Sequence, residues 1–313
     1  MKEKKNKKKL LNIIGNILTL VSLIFVIRAI VLMDVDYGLI FRVGNLLPML
    51  AVVLVMTLIA LCNVTPWRLL VQAISNVTLS YRTALPVFVK ANLMKYIPGN
   101  IFQYVGRNQL AIDQKLPHLE VAFATMLDVG LTVLSAGLIS VIFLSSFVGE
   151  LFRVHLLEYT VFIFLVLAVL LVLALLLFIF RKKIKVLFRQ YRHFFTGKTV
   201  AKIIISLAYY LVVLLLSGLM FLVVLTFILG EQLPFVQGFQ LITAYTLAWL
   251  VGFVTPGAPA GIGIKELVMV SVTGNLLSYQ TIALAMVIMR ILMIIADILA
   301  FIMGRFVIAK ERM

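Results

Sequence analysis

Ionisable side chains are rare in this sequence, and those that interrupt its apolar stretches are the residues with chemistry to offer. Asp128 falls about ten residues into one long hydrophobic run and Arg290 at the matching depth of the last run. Asp297 follows Arg290 by seven residues, two helical turns on, where it can share the same face. A lone charge at that depth costs at least about 2.5–3.5 kcal/mol, so each needs a partner or a wet cavity. Asp128 and Arg290 can satisfy one another. Two readings stand side by side: Arg290 holds an anionic substrate, with Asp128 or Asp297 as counter-ion in the empty site, or a permanent ion pair fixes helix register.

A second group of charges borders two helix-breaking segments. Residues 90–107 read Lys-Ala-Asn-Leu-Met-Lys-Tyr-Ile-Pro-Gly-Asn-Ile-Phe-Gln-Tyr-Val-Gly-Arg, and residues 254–266 read Val-Thr-Pro-Gly-Ala-Pro-Ala-Gly-Ile-Gly-Ile-Lys-Glu. Proline removes a helical hydrogen bond and glycine loosens the backbone, so Pro98, Gly99 and Gly106 in the first segment and Pro256, Gly257, Pro259, Gly261 and Gly263 in the second mark bends. Backbone outside a helix at membrane depth persists only where it is buried in protein or lines a wet cavity. Half-helix N-termini at such bends carry partial positive charge, and Lys95, Arg107 and Lys265 add full charges, a combination suited to phosphate. The plainer alternatives are snorkelling of Lys95 and Arg107 to headgroups and a local ion pair between Lys265 and Glu266. Tyr96, Tyr104 and Phe102 line a cavity or form an interfacial belt, and Asn92, Asn100 and Gln103 bind headgroup oxygens or satisfy broken backbone.

The elements that must hold these residues follow from composition. Of 313 residues, 63% are hydrophobic and 13% charged, with a mean hydropathy of +1.15, outside the range of soluble domains. The net charge of +16 gathers in Lys2–Lys9 and Arg181–Lys202, beside apolar runs and without any nucleic-acid recognition module. By the positive-inside rule both clusters face the cytoplasm. No nucleic-acid partner is expected. The single cysteine, Cys62, allows no internal disulfide, and His118, His155 and His193 lack metal-ligand spacing, so no metal and no cofactor are expected.

A hydrocarbon core of about 30 Å takes roughly 20 helical residues. The expected full spans are Leu10–Met33, Leu46–Val64, Leu119–Ser146, Glu158–Phe180, Ile203–Leu229 and Thr281–Gly304, the first being uncleaved. Residues 83–112 and 237–277 are apolar but broken, and are expected to form re-entrant hairpins. The fold class is therefore an all-α polytopic membrane bundle of six spans and two hairpins, one integral domain over 1–313 with basic residues 1–9 and the basic loop 181–202 cytoplasmic. Counting each hairpin as one span would put Arg181–Lys202 outside, against the charge rule; counting each as two gives ten spans. The halves, 10–146 and 158–304, echo each other at a register of 158 residues from Pro98-Gly99 to Pro256-Gly257, which lays Arg107 on Lys265. That pattern fits inverted repeats, a common transporter plan, although apolar composition inflates such echoes.

No phosphate-binding loop, nucleophile elbow or paired His and carboxylate motif is present, so the chain is expected not to be an enzyme. A lipid-modifying reaction with Asp128 or Glu266 as base is the least supported reading.

The run Asn92 to Arg107, followed by the second Pro-Gly-rich turn ending Gly261-Ile-Gly-Ile-Lys-Glu266, resembles the lysylphosphatidylglycerol synthase transmembrane-region family, also named flippase-like. Phe102 stands where many relatives have Trp. The resemblance implies a lipid-handling role for Lys95, Tyr96, Pro98, Gly99, Gly106 and Arg107 in the first turn and Pro256, Gly257, Gly261, Gly263, Lys265 and Glu266 in the second. In relatives this region is joined to an aminoacyltransferase domain, whereas here the sequence stops at Met313 after the last span, so lysyl transfer is not expected. The expected function is translocation of a phosphate-bearing lipid, an anionic or aminoacylated phospholipid or a polyprenyl-phosphate glycolipid, across a bacterial cytoplasmic membrane with both termini inside. The alternative is a non-transporting scaffold that recruits a separate glycosyltransferase or lipid-modifying enzyme through loop 181–202.

Overall fold

The computed structural model describes residues 42–75, 77–97, 101–114, 116–151, 196–255, 261 and 263–309, and the regular structure in them is all helical. The elements are α1 (Leu46–Cys62), α2 (Val64–Ser75), α3 (Tyr81–Asn92), α4 (Phe102–Asp113), α5 (His118–Leu151), α6 (Gly197–Val223), α7 (Phe235–Val254), α8 (Ile264–Thr273) and α9 (Tyr279–Ala309). A 3₁₀ turn, Leu93–Tyr96, continues α3, and a π turn, Val224–Ile228, continues α6.

Local chemistry explains the boundaries. Pro66 has no N–H to offer the Cys62 carbonyl, and the first span is interrupted at Asn63, whose own N–H bonds Ile59 O at 2.9 Å. Ser80 caps α3 by accepting the Thr83 N–H at 3.1 Å, and Ser278 does the same for α9 through Thr281 at 3.1 Å. At α8, Gly263 sits at φ +82°, a backbone state that L side chains avoid, and Glu266 reaches back to accept its N–H at 2.8 Å.

Among the described residues, five helical stretches are long and apolar enough to cross a membrane: Val43–Ser75, His118–Ile142, Gly197–Ile228, Phe235–Val254 and Tyr279–Phe306. Four of them coincide with expected spans. The other two expected spans, Leu10–Met33 and Glu158–Phe180, lie outside the described residues, as do the basic segment 1–9 and residues 181–195 of the expected loop 181–202; the end of that loop, from Gly197, is instead the first turns of α6, capped by Thr196. The fifth stretch falls within the segment 237–277 to within two residues: α7 is 20 residues, about 30 Å at 1.5 Å per residue, and α8 is 10. The arms α3 and α4 are 12 residues each, about 18 Å, too short to cross.

Each half is woven into the other. α3 packs against α9 while α7 packs against α5, so each helix before a break rests on the other half's last span. The same exchange links α1 to α9 and α6 to α5. The 158-residue register lays α3 on α7 and α4 on α8 to within four residues at each end. Two apolar cores result. One joins Trp67, Leu70 and Phe88 of the first half with Tyr210 and Ala300 of the second; the other joins Phe221, Leu241, Met269 and Met289 with Val52 and Met56. Backbones approach closely where Gly218 of α6 meets α7, since a Cβ there would stand 2.6 Å from the Ile242 carbonyl oxygen. On α1 the leucines at 46, 47, 50, 54 and 58 remain exposed along one side, the surface expected of a helix facing hydrocarbon.

Candidate functional site

A cavity of about 240 Å³ opens where the two halves meet, lined from α1, α3, α4, α5, α6, α7, α8 and α9. Four cations line it, Lys95, Arg107, Lys265 and Arg290, together with the carboxylates Asp128 and Asp297. Glu266 stands directly behind Arg290.

Three ion pairs organise these charges. Arg107 Nη1 donates to Asp128 Oδ2 at 2.8 Å, and the Tyr210 hydroxyl donates to Asp128 Oδ1. Lys95 Nζ lies 2.7 Å from Asp297 Oδ2, which also accepts from Tyr96 at 2.6 Å, while Asn92 donates to Asp297 Oδ1 at 2.8 Å. Arg290 Nη2 pairs with Glu266 Oε1, and the other oxygen of that carboxylate takes the Gly263 N–H. All six charged side chains are 20% exposed or less. Away from water such pairs persist only with further hydrogen bonds, and each carboxylate here has at least one.

Lys265 differs. Among the described residues it has no carboxylate within ion-pair distance and no hydrogen bond, yet it lies within electrostatic reach of Lys95, Arg290, Glu266 and Asp297. Its stem is held in a crease between α7 and the second break: a Cβ on Gly252 would stand 2.7 Å from Lys265 Cγ and 3.3 Å from Gly261 Cα. Gly261 itself is at φ +75°. At the other end of the cavity Arg107 is only 3% exposed and stacks on Phe88, 4.1 Å from the ring centroid, with Trp67 and Tyr104 each at 5.6 Å. Its Nε has no partner among the described residues, and neither has Asn63 Oδ1, which lines the same cavity. Trp249 stacks on Phe253 at 5.1 Å and Tyr104 meets Phe253 edge-on at 6.2 Å, which makes one wall aromatic.

The structure therefore gathers Lys95, Tyr96, Arg107, Asp128, Lys265, Glu266, Arg290 and Asp297 around one space. The expected pairings are corrected. Arg290 meets neither Asp128 nor Asp297 but Glu266, because α8 returns across α9 and brings its first turn to Arg290. Asp297 turns instead toward the first break. Lys95 and Arg107 are held by carboxylates rather than extended to headgroups, and Lys265 does not pair with Glu266. Gly106 is no bend: it lies inside α4, where a Cβ would run into the sulfur of Met94, so it serves close packing. Asn100 and the bend residues Pro98, Gly99, Pro256, Gly257 and Pro259 lie outside the described residues.

Several lining residues escaped the sequence reading: Asn63, Thr132, Tyr210, Trp249 and Phe253. Tyr210 inside an apolar span, and Trp249 four residues before Phe253 on one helical face, are signals that were available.

Comparison with protein-family models, with curated proteins and with solved structures finds no match for this chain. The resemblance noted above thus rests on the residues of the two turns.

Proposed function

We propose that this chain is a lipid translocase of a cytoplasmic membrane, moving a phosphate-bearing headgroup through the cavity between its halves while the lipid tail stays in hydrocarbon. The observation that carries this reading is the set of four cations lining one cavity, three of them held by carboxylates that an anionic headgroup can displace. Buried cations with exchangeable counter-charges suit a passage better than a permanent lock, since a ligand phosphate replaces a carboxylate without leaving either cation bare.

In this proposal the halves are inverted repeats, the segments around Pro98 and Pro256 are re-entrant, and both termini are cytoplasmic. The exchanged packing of α3 on α9 and α7 on α5 supports the first point. Arg290 is the central anchor, and Arg107 and Lys265 are the gates on either side. No chemistry is performed on the lipid; substrate movement is the whole activity.

The test is headgroup translocation in proteoliposomes with fluorescent phospholipids and a polyprenyl-phosphate sugar. Wild type moves one lipid class, and a variant lacking charge at Arg107, Lys265 and Arg290 does not. Equal translocation by the two proteins refutes the proposal, and absence of any translocation by well-folded wild type favours a scaffold that recruits a separate enzyme.

A further inference from the structure

The charges in the cavity are not spread evenly, and their arrangement bears on which headgroup fits. At one end three basic groups, Lys95, Lys265 and Arg290, face two carboxylates, Asp297 and Glu266, so that Lys265 in its ammonium form has no carboxylate of its own among the described residues. At the other end Arg107 and Asp128 cancel, and Asp128 accepts from Arg107 with one oxygen and from Tyr210 with the other.

A ligand that completes this site brings a single negative charge to the first end and no charge to the second. A phosphodiester is a monoanion, so it matches the surplus at Lys265. A phosphate monoester approaches a second negative charge at neutral pH and overshoots it. At the neutral end the unmet groups are one donor, Arg107 Nε–H, and one acceptor, Asn63 Oδ1. A hydroxyl both donates and accepts and so is suited to such a pair, whereas an ammonium only donates. An ammonium there would add a second cation beside Arg107, whose charge Asp128 already balances, and an excess charge away from water is strongly disfavoured.

We infer that the cavity recognises a monoanionic phosphodiester carrying an uncharged polyol, with Lys265 as the phosphate anchor, and discriminates against ammonium-bearing headgroups. The inference rests on the translocase reading and narrows it, excluding the aminoacylated cargoes.

An equilibrium binding experiment on the full chain in detergent separates the two. Emission from Trp249, which lines the cavity, is followed while dihexanoyl phosphatidylglycerol, dihexanoyl phosphatidylethanolamine, lysyl-phosphatidylglycerol and water-soluble glycerophosphoglycerol are titrated. Phosphatidylglycerol is expected to bind at least tenfold more tightly than either ammonium-bearing lipid. Lys265→Met is expected to weaken that binding at least tenfold and to raise the melting temperature, because it removes a confined cation without a counter-ion. A purely structural lysine would lose stability instead. Lys265→Arg keeps the charge and retains binding, and Asn63→Leu erodes the preference for phosphatidylglycerol.

Binding of glycerophosphoglycerol as tight as that of the lipid would support the headgroup assignment and place its source in water; weaker binding places it in the bilayer. Equal or tighter binding of phosphatidylethanolamine or lysyl-phosphatidylglycerol overturns the headgroup inference while leaving translocation standing. An unchanged affinity in Lys265→Met overturns the anchor, and failure of every probe to bind overturns the translocase reading with it.

Discussion

Glu266 uses its two carboxylate oxygens for two different tasks, one on Arg290 of α9 and the other on the Gly263 N–H that opens α8. The charge that neutralises Arg290 is thus also the cap of the short helix beyond the second break. An anion that takes Arg290 from Glu266 frees one oxygen without uncapping α8, so occupancy and helix position are linked through one side chain. Glu266→Ala is expected to lower stability toward the lower end of the ~3–5 kcal/mol seen when one member of a buried pair is removed. Glu266→Gln, which keeps an acceptor for Gly263, should lose less. Thermal unfolding of the two variants in detergent measures the difference, and equal losses would mean that the cap contributes nothing.

Asp297 joins the last span to the first break through Lys95, Tyr96 and Asn92. Asp297→Leu leaves Lys95 bare and is expected to be strongly destabilising. Lys95→Met combined with Asp297→Leu removes both charges and should recover much of that loss, since a buried pair is worth less than the penalty for breaking it. A double-mutant cycle on melting temperature decides this, and simple additivity would show that the pair is not coupled.

Tyr210 donates to Asp128 from α6, a helix of the other half. Tyr210→Phe removes a buried donor from a carboxylate that still holds Arg107, and a loss of about 1–3 kcal/mol is expected. Because the pair also borders the cavity, lipid binding should fall in the same variant. Unfolding and tryptophan titration on one preparation separate the two effects.

Gly218 lets α6 and α7 touch backbone to backbone. A side chain there meets the Ile242 carbonyl, which cannot rotate away, so Gly218→Leu should destabilise by at least about 1–3 kcal/mol and Gly218→Ala by less. Gly130, around which a Cβ meets nothing within 4 Å, is the matched control. Equal effects at both sites would remove the packing argument.

Arg290→Ala should abolish translocation, whereas Arg290→Lys, which keeps charge but loses the planar fork, should retain part of it. Initial rates in proteoliposomes report this directly. Full activity in Arg290→Ala would displace Arg290 from the path.

The all-helical apolar architecture was legible in the sequence because composition and the length of apolar runs are local properties. Four long spans and the segments bearing the site cations were found that way, and the register between Pro98 and Pro256 lays α3 on α7 and α4 on α8. The length of α7 was not, because proline and glycine at the break suggest two half-helices without setting how far the first one runs back. Pairing was not legible either. Arg290 and Asp128 share a depth in sequence terms, but the exchange of helices between halves sends each to a different partner, and only packing in three dimensions reports that. The charges and their rarity were determined by the sequence itself, since burying any of them demands a partner. Which partner, and why Lys265 stands without one, was decided by the fold: ion pairs form between side chains that helix packing brings within a few ångströms, and sequence separation sets no such distance.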